Sequence, residues 1–463
     1  MKQQIVTLEG ALMALYFGLT HLTPATLRGL ILTARCGAER AGLRRQSSRA
    51  AAAALALLCL ISPGRALSQA PGAAKPGGAA LPPEVIAVRD EGSRALYNMD
   101  YATARAKFEE VRRLLPQHPA GDMLLATTTW LEHLNRTRRL QTSLYRDESS
   151  FYAGAEKAKE ETEGDAVDPA IDRAFRDRMA QAKVKALALV NRNKEDPDAL
   201  YFLGAVYGVL AGYEASTARK FFAAMRNGSR TVDLHEKVVK LRPDYYDAYL
   251  SIGLYHYIVG NLPFPVRTLA AVGGFRGDEK RGIKEIQQVV EKGQHASDDA
   301  RVLLLAIYQN EQRPEEALAL LQQLSEKYSR NYLLKLETAS TLVRLKRAPE
   351  AYAIFDALLK DPAALQSADL VHYQYAEALA AGQEYARAAE HFLAAARLQN
   401  AEPSLATLSA LRAGQVYDLA GQRPQAVAQY RSVLARPNVY DTREQAERGI
   451  KEPFREKEKG KGD

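Results

Sequence analysis

The chain has 463 residues, 47% apolar and 25% charged, which excludes the disordered, collagen-like and cysteine-rich classes and leaves room for a large buried core. Its net charge of +8 would point to nucleic acid or an anionic surface if a folded domain carried it. It does not: residues 1–68 supply +6, and the remainder is nearly balanced at 55 basic against 53 acidic side chains, so no nucleic-acid partner is expected.

The first element, residues 1–68, reads as an extension followed by a signal peptide. Arg44, Arg45 and Arg49 precede the apolar run 50–61, Ser62-Pro63-Gly64 breaks it, and Ala66-Leu67-Ser68 supplies small residues for cleavage near Ser68. Twelve apolar residues are too few for a stable bilayer anchor, so export to a periplasm or cell envelope is expected. Because the charged segment begins well after Met1, either translation starts downstream or residues 1–42 add a further amphipathic helix. Both cysteines, Cys36 and Cys59, lie upstream of the cleavage point, so the mature chain needs no thiol chemistry outside the cytoplasm.

Residues 69–85 form a Pro/Gly/Ala linker without periodicity. From about Glu84 onward apolar residues recur every three or four positions and strand-type alternation is missing. The expected fold is therefore all-α, with N-terminal repeat helices over 86–243, a stretched unit over 244–293, further repeats over 294–450, and a charged tail over 451–463 that composition marks as disordered.

The helices come in pairs. Ala317/Leu321, Ala351/Phe355, Ala388/Phe392 and Ala426/Tyr430 mark the second helix of four units, spaced 34, 37 and 38 residues apart. Gly92, Ala104, Phe108 and Pro116 mark an N-terminal unit, with Asn98-Met99-Asp100 as its turn; Gly414, Tyr417 and Gly421 open the last. Pro314, Pro349 and Pro424 stand where a helix begins and a missing N–H costs nothing. This pattern resembles the tetratricopeptide repeat, in which small residues let helix A and helix B approach and an aromatic fills the next groove. The resemblance implies a right-handed solenoid of antiparallel helix pairs, without catalysis.

Two units are stretched. Gly204 and Tyr207 wait until Thr231 and His235 for their second helix, and Gly253 and His256 wait until Gly282 and Ile286; the intervals are 27 and 29 residues instead of 12. An inserted half-repeat is expected in each, and a lengthened, poorly matching unit over 119–190. The block from Tyr246 to Tyr257, with Leu262-Pro263 and Gly273-Gly274-Phe275-Arg276-Gly277-Asp278, resembles the inclusion-body-clearance family of tetratricopeptide proteins, which has bacterial members. That resemblance implies no catalytic motif, and the signal segment sets this chain apart from the eukaryotic members' cellular role.

No feature reads as a catalytic, cofactor or metal site. No two histidines stand at metal-ligand spacing with a carboxylate, His235-Glu236 lacks a second histidine, the glycine-rich turn near 273 follows no strand, and no Gly-x-Ser-x-Gly or nucleotide fingerprint occurs. His235 and His256 fall at repeat positions reserved for packing. An enzyme would need an unrecognised pocket. Repeats of this kind present a groove lined by helix A, and signature offsets turn Tyr257, Gln309, Arg344, Tyr373, Gln374, Glu377, Gln415 and Asp418 toward it, for a protein or peptide partner. The apolar insert 258–275 offers an alternative contact, with lipid or a membrane; oligomeric state is left open.

Overall fold

The computed structural model describes residues 80–140, 167–218, 220–262, 267–268, 271, 276–439 and 441–455. The segment expected as a signal peptide, most of the linker, most of the apolar insert and the end of the tail lie outside them. Among the described residues there are 17 α-helices, two short 3-10 turns and no strand.

The helices are α1 (Pro83–Tyr97), α2 (Tyr101–Leu114), α3 (Ala120–Arg136), α4 (Pro169–Arg192), α5 (Pro197–Ser216), α6 (Phe221–Leu241), α7 (Tyr249–Gly260), α8 (Glu279–Lys292), α9 (Ser297–Asn310), α10 (Pro314–Lys327), α11 (Tyr332–Arg344), α12 (Ala348–Leu358), α13 (Ala368–Ala381), α14 (Tyr385–Arg397), α15 (Pro403–Leu419), α16 (Arg423–Leu434) and α17 (Thr442–Lys451). Consecutive members of α11–α12, α13–α14 and α15–α16 pack on each other across connections of three residues, too short for anything but an antiparallel pair. This is a helical repeat of tetratricopeptide type.

One turn closes these pairs. Met99, Gln312, Lys346, Gln383 and Gly421 all have positive φ, between 57° and 72°. The residue after each donates its N–H five residues back: Asp100 to Ala95, Arg313 to Tyr308, Arg347 to Leu342, Glu384 to Leu379 and Gln422 to Tyr417, at 2.8–2.9 Å. This Schellman closure satisfies the last carbonyls of helix A. Arg138, at φ 57°, ends α3 in the same way, with the Arg139 N–H bonded to the Leu134 carbonyl at 2.7 Å.

The chain divides into two compact units, one comprising residues 1–96, 100–130 and 172–307, the other 97–99, 131–171 and 308–463. In the second, the marker residues do what their types require. Ala317, Leu321, Ala351, Phe355, Ala388, Phe392 and Ala426 are fully buried, and Tyr430 is 1% exposed. In the first, Trp130 meets Phe175 and Tyr213 edge-on, the latter two stack at 3.7 Å, and the Trp130 indole N–H donates to Thr217 Oγ1 at 2.7 Å.

The two stretched units solve their extra length differently. In the Gly204 unit the added residues lengthen both helices: α5 has 20 residues, α6 has 21, and only 217–220 separate them. No separate half-repeat is inserted there, because a longer apolar surface on both helices can be buried by continuing the same pairing. In the Gly253 unit α7 and α8 keep 12 and 14 residues, and the addition lies between them, over 261–278.

Candidate functional site

Helix A of each repeat in the second unit contributes polar side chains that bond to the next repeat. Gln309 Nε2 donates to Glu337 Oε2 at 2.9 Å, and Arg344 Nη1 reaches the Gln309 carbonyl at 3.4 Å. Ser340 Oγ donates to Gln374 Oε1 at 3.3 Å. Arg412 grips both Glu377 oxygens at 2.7 Å and donates a third bond, 2.7 Å, to Gln415 Oε1; Gln415 Nε2 continues to Gln445 Oε1 at 3.5 Å. The Arg412 guanidinium also lies 5.5 Å from the Phe392 ring centre. Bidentate guanidinium–carboxylate pairing fixes both side chains in angle as well as distance. The result is a polar ladder running over α9, α11, α13, α15 and α17, with Gln309, Glu337, Gln374 and Gln415 buried.

Five of the eight residues chosen from the sequence therefore meet in this ladder: Gln309, Arg344, Gln374, Glu377 and Gln415. Three do not present side chains to a groove. Tyr257, in the first unit, and Tyr373, edge-on against Phe392 at 5.5 Å, are each 1% exposed. Asp418 is a structural hub: its fully buried carboxylate accepts from Arg423 at 3.0 Å, from the Tyr430 hydroxyl at 2.8 Å and from the Phe454 N–H at 2.8 Å. Burial and the Asp418 bond push the Tyr430 phenol up. Sequence reasoning missed Glu337, Ser340, Arg412 and Gln445. Glu337, Ser340 and Arg344 sit at i, i+3 and i+7, so the face carrying Arg344 already contained two of them.

Other polar clusters secure the architecture. In the second unit Arg138 pairs with Asp369 at 2.9 Å and donates to the Gln366 carbonyl at 2.7 Å, while Asp369 also accepts the Glu402 N–H at 2.8 Å. Beside it, the Tyr332 hydroxyl bridges Asn135 and Ser367 at 2.6 and 2.7 Å. Both charges are buried, and each is met by several partners, as burial demands. In the first unit Asp247 accepts the N–H groups of Gln294, His295 and Ala296 at 2.8–3.2 Å, tying the loop after α8 to the start of α7. His235 is held between the Tyr201 carbonyl and Ser251 Oγ, and burial depresses its pKa to about 4. His256 bonds Glu285 at 2.6 Å, which Arg281 also meets at 2.8 Å. The Ser251 hydroxyl beside His235 is itself buried and donates to the Ala248 carbonyl at 3.4 Å. Among the described residues no group of three or more His, Cys, Asp or Glu could hold a metal ion, and no helix is long and apolar enough to cross a membrane.

No family model and no curated protein matches the chain. Several solved structures are similar to it at low identity: a human IFIT1 dimer with a capped m7Gppp-AAAA (13% identity, 78% of this chain and 80% of that one, TM-score 0.39), a tetratricopeptide repeat protein from Parabacteroides merdae (12%, 70% and 98%, 0.30) and yeast Tom70 (11%, 80% and 95%, 0.36).

Proposed function

We propose that this chain is an exported, non-catalytic binding scaffold of the cell envelope, and that the polar ladder of the second unit is where a protein or peptide partner docks. The observation that carries the reading is the cross-helix bonding of the ladder. Side chains already locked by neighbours lose little rotamer entropy when a ligand arrives, and a glutamine amide can carry up to four hydrogen bonds, enough to serve its neighbour and a peptide backbone together. Charge along the ladder is balanced, Arg344 and Arg412 against Glu337 and Glu377, which suits a polypeptide better than a polyphosphate backbone. Export rests on the basic and apolar N-terminal segment, and kinship with the inclusion-body-clearance type of repeat protein rests on the block 244–293.

The test is affinity purification of the full chain from extracts of the source cells, beside two variants with wild-type melting behaviour. Arg344→Ala/Glu377→Ala/Gln415→Ala removes the ladder; Glu326→Ala/Arg431→Ala alters exposed residues of helices B. A protein partner lost only with the first variant supports the proposal. Recovery of lipid alone, or a partner indifferent to the first variant, moves the reading to the apolar insert 258–275.

A further inference from the structure

Helices α4 and α6 both run antiparallel to α5, and so parallel to each other: Phe175 and Lys183 of α4 meet Tyr213 and Tyr207, while Arg230 and His235 of α6 meet Tyr207 and Tyr201. Two cations converge on one ring, with Lys183 Nζ 5.4 Å and the Arg230 guanidinium 5.2 Å from the centre of Tyr207. Helical spacing extends this seam along both helices. Leu187 lies one turn beyond Lys183, and Arg226 and Lys237 lie one turn before and two turns after Arg230. The exposed residues on that side of α6 are Arg226, Arg230, Asp233, Lys237 and Lys240, four cations against one acid. Among the described residues none of these four, nor Lys183, pairs with a carboxylate. The adjoining side of α4, between Asp177 and Asn191, exposes Ala180, Val184 and Leu187. Val184 is 65% and Leu187 37% exposed, among the largest apolar exposures of the described residues.

We propose that the outer sides of α4 and α6 dock the chain against an anionic lipid bilayer, with the cations at the headgroups and Val184 and Leu187 at the edge of the acyl region. Charge complementarity selects this occupant. Beyond residue 68 the chain is nearly balanced, with 55 basic and 53 acidic side chains, so four unpaired cations against one acid on a single helix side are a local concentration. A soluble polyanion would satisfy the cations and leave the two apolar side chains in water. A neutral bilayer would cover the apolar side chains and gain nothing from the charge. An anionic bilayer does both, because lysine and arginine stems lie along apolar surface while their heads reach the phosphates. Each cation held near such a surface is worth about a factor of five in binding, and nothing need cross the membrane. The ladder of the second unit and the insert 258–275 play no part, so failure of either reading leaves the other standing.

The experiment uses the full chain in a Cys36→Ser/Cys59→Ser background, with an environment-sensitive fluorophore attached through Val184→Cys, Leu187→Cys or, as a reference on an exposed residue of α10, Glu326→Cys. The probe is a vesicle of phosphatidylcholine and phosphatidylglycerol in equal parts, carrying a spin-labelled lipid as quencher. Emission from positions 184 and 187 should move to the blue and be quenched, and emission from 326 should do neither. Arg226→Gln/Lys237→Gln alters two exposed side chains that pair with no carboxylate, so it should keep the wild-type melt. It should weaken the vesicle titration of the 184 signal about thirtyfold. Absence of quenching at 184 and 187 while the protein sediments with the vesicles overturns the proposal, because another segment then meets the lipid. Equal quenching on phosphatidylcholine alone, or a titration indifferent to Arg226→Gln/Lys237→Gln, overturns it as well. A response at 184 to soluble polyglutamate without a response to vesicles would overturn it in favour of a soluble polyanion.

Discussion

The α5–α6 and α7–α8 pairs begin from the same device, a glycine on helix A pressed against helix B, and they differ in what the glycine touches. A Cβ on Gly204 would run into the His235 ring, a side chain, whereas a Cβ on Gly253 would come within 2.8 Å of the Gly282 carbonyl oxygen, and one on the facing Gly282 of helix B within 2.5 Å of the Gly253 carbonyl oxygen and the Tyr257 nitrogen, all backbone. In the first pair the helices are long and a titratable ring fills the space between them. In the second the helices are short, the backbones nearly touch, and the added residues fall in the connecting sequence instead of in either helix. Close backbone approach leaves nothing that can rotate away, so it cannot absorb a change in volume as a side-chain contact can.

The comparison can be broken at the backbone contact first. Gly282→Ala should lower stability by about 3 kcal/mol, at the upper end of overpacking costs, read as a drop in the urea midpoint without a change in slope. Ile286→Ala should not rescue it, because the clash is with backbone. A loss below about 1 kcal/mol would mean that α7 and α8 can part easily.

Acid separates the pairs next. The folded pKa of His235 is depressed to about 4, below the 6.5 of an exposed histidine. The unfolded chain therefore takes up this proton first, so the contribution is complete above pH 6.5 and is lost as pH falls toward 4, up to about 3 kcal/mol. Unfolding followed from pH 7.5 to 4 should steepen over that window, and His235→Gln should flatten it. The Gly253–Gly282 contact is backbone against backbone, although His256 and Glu285 pair across the same two helices, and Gly282→Ala should shift the curve without changing its shape.

Gly204→Ala should cost about 2 kcal/mol, since His235 is pinned at both ring nitrogens and cannot simply swing aside. Combined with His235→Ala, the losses should be less than additive by at least about 1 kcal/mol, as expected of residues in contact. Strict additivity would show that the ring does not mediate this pairing. The smallest effect lies at the shared turn, where Gly421 holds a left-handed conformation that Lys346 also adopts. Lys346→Gly should stabilise by about 0.5 kcal/mol and Gly421→Ala destabilise by about 1 kcal/mol, both seen in thermal melts.

Much of the fold was legible because repeats write their packing into local spacing. Ala388 and Phe392 are four residues apart on one helix face, and burial of both follows from that spacing. The form taken by extra length was not legible. Intervals of 27 and 29 residues look alike in sequence, and only the continued apolar surface of α5 distinguishes longer helices from an insertion between short ones. The ladder was half legible: Gln309, Gln374 and Gln415 fell on the right face, while Tyr373 and Asp418, near the same face, turn inward to a ring and to an arginine. Contacts between distant segments were beyond reach. Arg138 and Asp369 are 231 residues apart, and His372 and His391, although only 19 apart, lie on different helices.

The scaffold reading turns on which side of the helix pairs a partner meets, and site-specific photocrosslinking in cells measures that directly. With a photoreactive amino acid placed in turn at position 344 of α11, at 412 of α15, and at the exposed positions 326 of α10 and 431 of α16, the same protein adduct should form from 344 and 412 and be absent from 326 and 431. Adducts arising only from 326 and 431 would contradict the assignment of the helix-A face and place any partner on helices B.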